Sequence, residues 1–166
     1  MSINEIINDN IKITWTLLLI CFNSNNLLKN CEYEQKFISA SDVINYAVSF
    51  LETTDNMDVA SLAVLQEDEE RDLLRLLTQL SARENCKYSF EFRKFRAMYI
   101  REKLPSADEE FIHGILQISE LWDKFGFPED SPNIYFNFED YSLLNFKKLL
   151  ELHIAWIKRE FEIIKR

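Results

Sequence analysis

Apolar residues recur along most of the chain at separations of three, four and seven, the spacing of one face of an α-helix, and strict alternation is confined to one short stretch. Residues 15–22 follow Thr14, whose hydroxyl can accept from the free backbone N–H groups of a first helical turn. Ser41 stands in the same relation to residues 42–53, where Val43, Ala47, Phe50 and Leu51 recur with helical spacing. Asp58 leads into residues 59–65. The acidic turn 67–70 then precedes Leu73, Leu74, Leu76, Leu77 and Leu80, as expected where carboxylates meet the positive end of a helix dipole. The last two segments, 59–65 and 73–80, together predict a helical hairpin.

Ser89 opens a further segment, in which Phe92, Phe95, Ala97, Met98 and Ile100 interleave with Arg93, Lys94, Arg96 and Arg101 before Pro105 ends it. Ser106 and Glu109 have capping-box spacing ahead of a helix carrying Ile112, Ile115, Leu116, Ile118, Leu121 and Trp122. That helix should stop at Lys124, with Gly126 in the left-handed position past its end and Pro128 preventing resumption. Ser142 caps a last long helix to about residue 164, its stripe formed by Leu143, Phe146, Leu150, Ile154, Ile157 and Phe161. Between these two helices, residues 133–138 alternate polar with aromatic side chains, which allows a short strand. The expected fold is mainly α, one domain over residues 1–166 with about seven helices and room for a small β element near residues 133–138.

Composition narrows the chemistry. Only Gly114 and Gly126 are glycines, so phosphate cradles and dinucleotide turns, which need close or left-handed backbone, are not expected. The cysteines, Cys21, Cys31 and Cys86, are odd in number and form no C-x-x-C pair, which suits a reducing cytoplasm better than a disulfide framework or zinc ribbon. The apolar run 15–22 is too short to span a bilayer, so neither an export signal nor a membrane anchor is expected. Trp15 and Trp156 are expected in the core.

Candidate catalytic groups are sparse. Glu110 and His113 have the three-residue spacing used in di-iron carboxylate bundles, but His153 is preceded at that spacing by Leu150, so the second half of such a site is missing. A Cys or Ser nucleophile could be served only by His113 or His153, and neither sits in a motif. Cys21 reads as a small core residue, and Glu129 with Asp130 as turn decoration rather than an acid and base pair. No metal, no cofactor and no enzymatic activity are therefore expected; a metal-dependent hydrolase using Glu110 and His113 is the weakest alternative.

Charge is segregated. Net charge is −9, and residues 1–70 hold twelve acids against three bases while residues 71–166 hold sixteen of each. Within the balanced part, residues 83–103 carry seven bases and three acids, and residues 105–140 carry nine acids and one base. Two accounts fit. Either the basic helix lies among acidic ones in weak surface ion pairs, or an acidic field interleaved with aromatics receives a basic partner, with charge speeding encounter and rings anchoring it. The candidate contact residues are Glu120, Asp123, Phe125, Phe127, Glu129, Asp130, Tyr135, Glu139 and Asp140. The same balance disfavours nucleic acid as a ligand, because neutralising phosphates needs a basic surface.

The segment Leu121-Trp122-Asp123-Lys124-Phe125-Gly126-Phe127-Pro128-Glu129-Asp130 resembles the bacterial domain of unknown function family 2247. Ile13-Thr14-Trp15 and Asp42-Val43-Ile44-Asn45-Tyr46-Ala47 resemble it too, in the same order, so the likeness covers residues 13–138. The resemblance brings no catalytic residues with it. It implies an immunity protein of a polymorphic toxin or contact-dependent inhibition system: a cytoplasmic blocker that covers the active site of a cognate toxin C-terminal domain, a basic nuclease being the target its acidity suits best. A helical adaptor or regulatory protein is the principal alternative.

Overall fold

The computed structural model describes residues 2–29, 36–106, 110–135 and 142–165. These residues hold nine α-helices: α1 (Ile3–Asn8), α2 (Trp15–Phe22), α3 (Ser24–Leu27), α4 (Ala40–Leu51), α5 (Met57–Ala63), α6 (Glu70–Arg83), α7 (Tyr88–Lys103), α8 (Phe111–Asp123) and α9 (Leu143–Ile164). A single 3-10 turn, Pro132–Tyr135, lies between α8 and α9. The fold is the all-α bundle expected, with α1 and α3 added as short helices. Glu139 and Asp140, and residues 136–138 of the stretch that allows a strand, lie outside the described residues.

The bundle is organised round α2. Its sequence is apolar on almost every side, which fits a helix with no solvent face, and Leu17, Leu18, Ile20 and Cys21 are wholly buried. It packs on α6 and α7, α7 packs on α9, and the α4–α5 hairpin closes against α6. One hydrophobic core runs from Ile3 to Ile164 and takes in Trp15 and Trp156, as expected. No helix among the described residues is long and apolar enough to cross a membrane.

Several helix starts differ from the sequence reading. Helix α4 is capped by Ser39, not Ser41, because Ser39 and Asp42 satisfy each other's backbone N–H groups reciprocally, which a lone serine cannot. Helix α5 is capped by Asn56, and Asp58 instead reaches across to pair with Arg83 of α6. Helix α8 begins at Phe111, later than Ser106 suggests: Glu110 folds back to accept from the backbone N–H groups of Ile112 and His113 at 3.2 and 2.9 Å. Glu109, the proposed partner of Ser106, lies outside the described residues. Residues 132–135 form a 3-10 turn rather than a strand, since Pro132 fixes its φ in a turn-compatible range and the Ser131 hydroxyl accepts from the Asn133 N–H at 3.2 Å.

The two glycines do different work. Gly126 ends α8 with φ +72° in a Schellman arrangement: its N–H donates to the Asp123 carbonyl at 2.9 Å and the Phe127 N–H to the Trp122 carbonyl at 3.1 Å. Gly114 lets α8 approach α9 so closely that a Cβ there would lie 2.5 Å from the Phe146 ring.

Candidate partner-binding site

Four of the five basic side chains of α7 are paired within the molecule. Arg93 forms a two-pronged pair with Glu160 of α9 at 2.6 and 2.9 Å, and Arg96 pairs with Asp130. Arg101 pairs with Asp9 after α1. Lys94 is buried against Glu91 at 3.0 Å, with the Lys12 carbonyl as a second acceptor at 3.0 Å. Planar guanidinium suits the Arg93 fork, and the Glu160 hydrogen bond holds the Arg93 pKa above its ordinary value. Internal pairing, one of the two accounts of segregated charge, thus describes α7, and the chain's net negative charge is left to the other surfaces.

The segment after α8 divides into packed and displayed residues. Phe125 turns inward, its ring centroid 5.6 to 6.4 Å from those of Phe92, Phe95, Tyr99 and Trp122. Asp130 is held by Arg96. Phe127 points the other way: its side chain is 45% exposed, and its backbone sits at φ +49°, a region bulky non-glycine residues seldom occupy. Glu120 and Glu129 are exposed and Asp123 is half-buried. Tyr135 ends the 3-10 turn. The turn itself is pinned by its two Schellman bonds, by the Phe125 N–H donating to the Trp122 carbonyl at 3.1 Å, and by the Lys29 N–H donating to the Lys124 carbonyl at 3.3 Å.

Among the residues weighed for catalysis, Glu110, His153 and Cys21 are committed elsewhere, while His113 is exposed. The Glu110 carboxylate caps α8. His153 is wholly buried between Trp122 and Leu149. The Trp122 indole can only donate, at 2.6 Å, so the His153 Nε2 accepts and its Nδ1 proton goes to the Leu149 carbonyl at 2.8 Å. Burial pushes its pKa down to about 4, against the opposing pull of that carbonyl. Burial, reinforced by the Glu91 charge, pushes the Cys21 thiol well above its usual range, where it is not a nucleophile. No group of three or more metal-ligating side chains occurs among the described residues.

Sequence reasoning missed a polar cluster at the start of α2. The Glu84 carboxylate, just past α6, accepts from the Trp15 and Thr16 N–H groups, both at 2.8 Å, and from the Thr16 hydroxyl at 3.0 Å. Thr14 caps α2 as expected, accepting from the Leu17 N–H at 3.0 Å, and also donates to Glu91 at 2.8 Å. These partners stand 68 to 77 residues apart, so no local pattern could have joined them.

No curated protein and no solved structure matches the chain. The model of a family described as "Uncharacterized protein conserved in bacteria (DUF2247)" matches residues 3–161, from the first residue of α1 into the last turn of α9. Because that match takes in nearly all of the bundle, including the pinned turn after α8, the chain belongs to this bacterial family.

Proposed function

We propose that the chain is an immunity protein that binds a cognate bacterial toxin domain in the cytoplasm and blocks it, with the turn after α8 as part of the contact surface. The observation that carries the reading is Phe127. Holding a bulky residue in left-handed backbone costs about 1 kcal/mol or more, and such strain persists where the surroundings over-determine it, often at binding sites. Here the strained residue directly follows the Schellman glycine, and it is half-exposed, with exposed Glu120 and Glu129 in the same segment. A rigid aromatic anchor accompanied by carboxylates suits a basic protein surface. The net charge of −9, with four of the five basic side chains of α7 paired internally, gives the encounter its long-range attraction and favours a basic nuclease as target.

The reading expects a large toxin gene directly upstream, and the test is binding of the purified chain to the C-terminal domain of that toxin. The reading expects a one-to-one complex whose association rate rises as salt is lowered, and at least a tenfold loss of affinity in Phe127→Ser. Absence of binding by the unaltered chain would overturn it, and capture of a housekeeping complex instead would favour an adaptor.

A further inference from the structure

A second feature lies at the start of α2. A cleft of about 260 Å³ opens there, walled by the rings of Trp15, Tyr46 and Phe50 and lined further by Glu84, Cys86 and Lys12. The walls are held in place by one another. Tyr46 and Phe50 are four residues apart on α4, so they share a face and stack at 5.9 Å. Trp15 meets each of them edge-on at 5.4 Å. Glu84 is equally fixed, because its oxygens are anchored to the first amides of α2.

The charge of Glu84 remains available. None of its donors, the Trp15 N–H, the Thr16 N–H, the Thr16 hydroxyl and the Cys86 thiol, carries a formal charge to offset that of the carboxylate. The Tyr46 hydroxyl registers the effect, its pKa raised first by burial and then by the Glu84 charge. Aromatic faces and an ionised carboxylate both attract cations, and both repel anions. The volume falls below the range typical of drug-sized ligands and suits one side chain or a small amine.

We propose that this cleft binds the guanidinium or ammonium group of one organic cation, its stem among the rings of Trp15, Tyr46 and Phe50 and its charge toward Glu84. The site goes beyond the immunity reading and does not depend on it. Among the described residues of the lining Lys12 is the one cation, and it competes with the ligand; its removal strengthens binding.

The experiment follows the three indole N–H signals of the protein by NMR while N-acetyl-arginine amide, its neutral isostere N-acetyl-citrulline amide, or agmatine is added. The expected result is a saturable shift of the Trp15 signal with the two cations and none with citrulline. Binding should weaken about fivefold or more in Phe50→Leu as a ring face is lost, and tighten about twofold or more in Lys12→Met as a like charge is removed. Glu84→Gln, which removes the charge and keeps one of the two acceptors for the α2 amides, should erase the preference for arginine over citrulline. Tighter binding of the capped arginine assigns the site to a partner's side chain, and tighter binding of agmatine to a free amine; either supports the proposal. An unshifted Trp15 signal, or equal response to arginine and citrulline, overturns it, whether or not the toxin-domain complex forms.

Discussion

Replacing Gly114 by alanine sets two effects of opposite sign against each other. In a helix interior, alanine is favoured over glycine by about 1 kcal/mol. At this position, however, the new methyl would lie 2.5 and 2.6 Å from the Cζ and Cε2 atoms of Phe146, about 1 Å inside the usual carbon contact distance. Phe146 is wholly buried on α9, so its ring has nowhere to retreat without moving a helix. Overpacking of this kind costs about 3 kcal/mol at the upper end of its range, which leaves a net loss of about 2 kcal/mol after the propensity gain. For a chain of this size that lowers Tm by roughly 6 °C, measurable by urea and thermal unfolding followed by circular dichroism. A double-mutant cycle isolates the contact: Phe146→Leu should be costly in the parent but close to neutral or stabilising beside Gly114→Ala, with a coupling energy of about 1 to 3 kcal/mol. Gly126→Ala is the internal control. Among the described residues beyond its chain neighbours, the Lys29 ammonium alone lies within 4 Å of its Cβ position, so its cost comes from φ +72° and Phe146→Leu should not rescue it. A Gly114→Ala protein as stable as the parent, or more so, would refute the close α8–α9 packing.

Three further outcomes are expected. His153, whose pKa falls from 6.5 to about 4 on burial, binds fewer protons in the folded than in the unfolded state between those values; its contribution of roughly 3 kcal/mol is therefore complete above about pH 6.5 and lost as pH falls toward 4. His153→Gln should flatten stability against pH across that window, and an unchanged slope would contradict the assignment. Lys94→Met strands the Glu91 carboxylate in the interior and should cost about 3 to 5 kcal/mol, most of it recovered in Glu91→Gln/Lys94→Met; urea unfolding in which the double variant is no better than the single would dissolve the pair's claimed dependence. Phe125→Ala should cost about 3 kcal/mol, whereas Phe127→Gly, which relieves backbone strain, should stay within about 1 kcal/mol of the parent. Equal losses would mean that Phe127 is packed rather than displayed.

The bundle was legible in the sequence where local signals decide. Thr14 and Ser142 cap the helices they precede, and Gly126 followed by Pro128 marks the end of α8 correctly. Helix starts were misjudged where two candidate caps stood close together, because a reciprocal Ser39–Asp42 box outweighs a lone Ser41 and that difference is made by side-chain geometry. Charge patterning identified α7 as basic, but its partners Asp9, Asp130 and Glu160 lie 34 to 92 residues away in sequence, so their neutralising role emerges only in the fold. Among the candidate contacts, composition cannot separate Phe125 from Phe127. The two are alike in the sequence and opposite in the structure, one inside an aromatic cluster and one held outward by a helix cap. The aromatic cleft was invisible for a similar reason: Trp15, Tyr46, Phe50 and Glu84 come from three separate segments.

In the proposed immunity function, this chain protects its bacterium from a toxin. The direct measurement is growth of cells producing the C-terminal domain of the proposed cognate toxin, sought in the gene directly upstream, with and without this chain, the Phe127→Ser variant being confirmed as folded in parallel. The proposed function entails arrest by the toxin domain alone, full growth when the unaltered chain is present, and arrest again with Phe127→Ser. Arrest that the unaltered chain does not relieve would contradict it.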